Sequence, residues 1–113
     1  MTTTHHMQQR IYEVQQQYRE WLQSMEKLQQ LQTEWQKSIE LMKKLEHFYL
    51  EGEYRTYYDA IENGEKVDLT TQGEYSIMSE DALWNAMVEH SEFAWQQMRQ
   101  AMQVLDKDAD KSG

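Results

Sequence analysis

Between Met7 and Leu50 the chain carries neither proline nor glycine, and its apolar residues return at alternating steps of three and four. With position a at Ile11, the a series reads Ile11, Tyr18, Met25, Gln32, Ile39, Glu46, and the d series reads Val14, Trp21, Leu28, Trp35, Met42, Tyr49. Every d residue and four of the six a residues are apolar or aromatic, while the f residues Gln16, Gln23, Gln30, Lys37 and Lys44 are all polar. That period suits one long helix with a seam to be covered by other helices, and it suits no strand. Leu22, Leu31, Leu41 and Leu45 widen the seam towards a bundle-facing stripe.

Gly52 ends this pattern and suits a left-handed helix cap. Tyr54 to Glu62 reads as a short helix closed by Asn63-Gly64, and Glu65 to Ile77 reads as loop with a turn at Gly73. Ser79 is placed to cap a second long helix reaching about Asp106, with Glu80 and Asp81 in its first turn. Its core-facing row is expected to be Leu83, Met87, His90, Ala94, Met98, Ala101 and Leu105. Trp84, Val88, Trp95 and Met102 flank that row. The fold class that follows is all-α: two long antiparallel helices, a coiled-coil-like helical hairpin, with a short helix in the connector. Residues 1–113 are expected to form a single helical domain, with 1–6 and 107–113 as disordered ends.

The two long helices differ in length, about 44 residues against about 27, and roughly 1.5 Å per residue leaves some 25 Å of the first without an intrachain partner. The surplus carries Ile11, Val14, Tyr18 and Trp21, which with Met25 are the expected self-association residues. A homodimer with first helices packed together would cover them. The charge permits it. Residues 1–50 hold six basic and six acidic groups, so the whole net charge of −9 lies in residues 51–113, expected to face outward.

That distribution supplies no basic surface for phosphates, so no nucleic-acid partner is expected. An acidic half would suit an unknown, basic protein partner. The first ten residues contain no apolar stretch of signal-peptide type, and no segment reaches the length of a membrane span. The chain has no cysteine, which excludes thiolate metal sites and cysteine nucleophiles. A cytoplasmic protein without membrane contact is the expectation.

Chemistry-bearing residues are sparse. No phosphate-binding glycine loop, HExxH pair or nucleophile elbow occurs. His47, at the end of the first helix, suits the helix dipole when protonated. His90, with Glu89 and Glu92 beside it, is the one arrangement that could serve a small enzyme or hold a metal. The tail from Asp106 opens like a calcium loop but has Lys111 where the sharp turn needs glycine, and it stops before the closing glutamate. No catalytic residue, metal or cofactor is expected. Phe48, Tyr49, Tyr54, Tyr57, Tyr58 and Tyr75 form an aromatic-rich connector, in which Tyr54, Tyr57 and Tyr58, with Trp84, make a second candidate patch for a protein partner.

The stretches Leu45-Glu-His-Phe-Tyr-Leu-Glu-Gly-Glu-Tyr54 and Met78-Ser-Glu-Asp-Ala-Leu-Trp-Asn85 resemble a bacterial family of small proteins, domain-of-unknown-function family 4298. The resemblance covers roughly residues 8–105, with Tyr54 where the family commonly has Trp. It implies an all-helical protein and brings no activity with it. The functional expectation is a non-enzymatic protein that works by protein–protein interaction, as a homodimer. The alternatives are a secretion-accessory or antitoxin-like partner of a basic protein, and the His90 enzyme.

Overall fold

A computed structural model describes residues 2–107 as three helices, α1 (Thr2–Leu50), α2 (Glu53–Glu62) and α3 (Ala82–Leu105), with no strand among the described residues. The two long helices and the short one in their connector are those the heptad pattern and the turn residues require. α1 starts at Thr2, five residues before the heptad pattern sets in at Met7, so residues 2–6 are helical rather than an unstructured end. The acidic tail 108–113, with its calcium-loop-like spacing, lies outside the described residues.

The chain divides into two units, residues 1–40 and 41–113. In the first, residues 2–40 are helix throughout, and only Met25, Trp35, Ser38 and Ile39 are half-buried. The second holds the last turns of α1, all of α2, the loop and α3. It also holds the two buried side chains among the described residues, Met42 and Leu83. Around them lie half-buried Leu45, Phe48 and Tyr49 of α1, Tyr54, Tyr58 and Ile61 of α2, and Ala82, Ala86, Met87, His90 and Ala94 of α3.

Turn chemistry places these elements. Gly52 takes φ +102°, a left-handed geometry that only glycine adopts without strain, and it separates α1 from α2. The amide of Glu51 donates to the His47 carbonyl at 3.2 Å, and the two side chains form an ion pair when the imidazole is protonated. The Gly52 carbonyl then starts α2 by accepting the Thr56 amide at 3.0 Å and the Thr56 hydroxyl at 2.9 Å. At the far end Glu65 N–H reaches the Ala60 carbonyl and Gly64 N–H the Ile61 carbonyl, both at 3.0 Å. This is the Schellman closure, with Gly64 left-handed at φ +104°.

Ser79 does not cap α3. Its amide and hydroxyl both donate to the Ser76 carbonyl, at 3.0 and 2.7 Å, closing a turn just ahead of the helix. Asp81 occupies the cap position without a side-chain cap bond, and α3 starts at Ala82, so Glu80 and Asp81 precede the first turn instead of lying in it. A serine whose hydroxyl is engaged locally with a backbone carbonyl is not available to the helix amides. The core-facing row is also shorter than expected. Leu83, Met87, His90 and Ala94 are buried or half-buried, but Met98, Ala101 and Leu105 are exposed.

Candidate interaction surface

The expected self-association residues stand open along α1. Ile11, Tyr18 and Trp21 are 52%, 52% and 55% exposed, Val14 is exposed, and Met25 is half-buried. Met7 and Leu28 extend the same face in both directions, each more than half exposed. Helical register alone lines these residues up. The Tyr18 and Trp21 rings, one turn apart, stack at 6.2 Å between centroids and 15° between planes, giving the seam a flat aromatic centre. Arg10 and Glu13 pair beside it at 3.2 Å across one exposed turn.

The connector patch is assembled in part. Tyr54 packs on Tyr49 at 4.9 Å, on Tyr58 at 6.0 Å, and edge-on to Phe48 at 6.2 Å; Tyr57 also meets Phe48, at 6.1 Å. The Tyr54 hydroxyl donates to the Met78 carbonyl at 3.4 Å, tying the start of α2 to the approach of α3. Partial burial is the main reason its proton is held above the ordinary tyrosine range. Tyr49, Tyr58 and Glu80 add to the rise, and Arg55 opposes it. Arg55 and Asp59, one turn apart on α2, form an exposed ion pair at 3.5 Å. Two members depart from the expected cluster. Tyr75 is 85% exposed in the loop, and Trp84, 54% exposed, has no ring contact with the connector aromatics among the described residues.

Trp84 belongs to something else. Read from Trp84 as position d, α3 carries a heptad series of its own: Trp84, Val88, Ser91, Trp95, Met98, Met102, Leu105. All seven are exposed, and among the six apolar ones Val88 is least so at 39% and Leu105 most at 72%. The row Leu83, Ala86, Met87, His90 and Ala94 is the one covered within the chain, one residue round the helix from the start of this series. Sequence reading places Trp84, Val88, Trp95 and Met102 on the flank of a single broad stripe and Met98 and Leu105 in its core-facing row. The signal for two faces was present in the strict spacing of 84, 88, 91, 95, 98, 102 and 105.

The residues of the His90 arrangement lie on α3. His90 is half-buried in the covered row, whereas Glu89 and Glu92, with Phe93, Gln96 and Arg99, line an open depression on the surface of α3. Among the described residues no group of three or more His, Asp and Glu has metal-binding geometry, and no helix is long and apolar enough to cross a membrane.

No curated protein and no solved structure matches this chain. A family model does, over residues 11–100, a span that runs from the α1 seam through the connector and most of α3. With most of the chain matched, and with the connector and the α3 entry that carry the resemblance both inside the match, the protein belongs to the family described as Domain of unknown function (DUF4298).

Proposed function

We propose that this protein works by protein–protein contact without chemistry of its own, as a homodimer in the bacterial cytoplasm formed through the α1 seam. One observation carries the reading. Met7, Ile11, Val14, Tyr18, Trp21 and Leu28 stand exposed in a heptad row along α1, and heptad rows are the form in which helices recognise helices. The balanced charge of residues 1–50 leaves no repulsion to oppose the approach of a second copy.

The test is the solution mass of the wild type beside Trp21→Glu. Trp21 is more than half exposed, so the substitution leaves the fold of residues 41–107 intact while placing a charge in the seam. The expected outcome is a wild-type dimer and a folded monomeric variant. A Trp21→Glu protein that dimerises as well as the wild type would remove the α1 seam from the account.

A further inference from the structure

The α1 seam and the α3 series match in length and register. From Met7 to Leu28 the seam runs through seven positions in the order d-a-d-a-d-a-d; from Trp84 to Leu105 the α3 series runs through seven in the same order. The two are offset by eleven heptads, so position n on α1 corresponds to n + 77 on α3. Two parallel helices pack with a against a and d against d, which sets Ile11 against Val88, Val14 against Ser91, Tyr18 against Trp95 and Leu28 against Leu105. Parallel packing also brings each g residue beside the e residue five positions on in the facing helix. Arg10 then meets Glu92, Gln17 meets Arg99, and no like-charged pair occurs in this register. Arg10 now holds only an exposed one-turn pair with Glu13, and Glu92 lines the open depression on α3.

The geometry points to a reciprocal dimer in which the α1 seam of each copy, Met7 to Leu28, lies parallel on the exposed α3 series of the other. The inference rests on the homodimer reading and names what the seam meets: α3 of the second copy, not its α1. The contact is made twice about a two-fold axis, which closes the assembly at two copies. It covers both exposed heptad rows at once, whereas pairing α1 with α1 leaves the α3 row wet. It also turns α3, part of the acidic half, inward, contrary to the expectation that this half faces out.

The absence of native cysteine makes disulfide trapping direct. Val14→Cys combined with Ser91→Cys is expected to oxidise to a covalent dimer, since facing d positions lie within disulfide reach. Val14→Cys with Met98→Cys, one heptad out of register, is expected to stay largely monomeric on a denaturing gel. Both positions of the first pair are exposed, so folding is not at risk. A wild type that dimerises while the 14/91 pair fails to cross-link overturns this docking and leaves the homodimer standing. Cross-linking by Val14→Cys alone also overturns it, by placing α1 against α1. A wild type that is monomeric removes both readings. In an independent arm, Arg10→Glu is expected to weaken dimerisation about tenfold, the pair occurring twice per dimer, and Arg10→Glu with Glu92→Arg to restore it. A double variant weaker than the single one contradicts the register.

Discussion

Tyr54 sits where three segments converge: its ring lies among the aromatics closing α1 and opening α2, and its hydroxyl reaches the Met78 carbonyl ahead of α3. Its pKa is raised in the folded state, so at alkaline pH the native state holds a proton that the unfolded chain has begun to lose. The sign of the linkage follows. The contribution is fully present below the unfolded tyrosine range near 10, and it is lost as pH rises through the folded value. Urea unfolding as a function of pH is expected to show an alkaline fall in stability that Tyr54→Phe reduces. At neutral pH the same variant is expected to cost no more than about 1 kcal/mol, the bond being long and only part-buried. An unchanged alkaline slope in Tyr54→Phe would show that the convergence does not depend on this hydroxyl. Legibility at this scale is uneven. Gly52 and Gly64 were readable because left-handed turns favour glycine. Ser79 misled because a serine before a helix can cap it or close the preceding turn, and the choice rests on Ser76, which no local rule singles out. Tyr75 is in the aromatic-rich connector by composition, but Gly73 and the bonds of Thr71 and Gln72 to Glu74 make a separate turn of its neighbourhood.

Helix α3 presents two faces with different duties. One row is covered within residues 41–107 and includes Leu83, 4% exposed; the adjoining heptad series is open. Substitutions one residue apart should therefore separate cleanly. In the monomeric Trp21→Glu background, Leu83→Ala is expected to destabilise residues 41–107 by about 2–4 kcal/mol through lost burial and the cavity left behind. Trp84→Ala should stay within about 0.5 kcal/mol. Urea midpoints followed by far-ultraviolet circular dichroism distinguish the two, and comparable losses would mean that the open face is covered in the monomer. Periodicity found α1 and α3 readily, since each spans many turns without a breaker. It could not say which part of a broad apolar stripe is covered within the chain. The covered stretch ends near Ala94, and Met98, Ala101 and Leu105 are exposed.

For the molecule as a whole, the small core and the exposed heptad rows govern the account. Two buried side chains among residues 2–107 are a small core for three helices, and small domains depend heavily on what they can bury. Two open heptad rows are where the missing burial can come from. The sequence shows this as a mismatch in helix lengths, which marks α1 as having a surplus; the spacing of the second row on α3 is also in the sequence, but which face is covered is not. Sedimentation equilibrium of the wild type across micromolar concentrations tests the central claim most directly. A mass of twice 13.7 kDa, dissociating reversibly on dilution, is the predicted result; a species of 13.7 kDa at every concentration would contradict it.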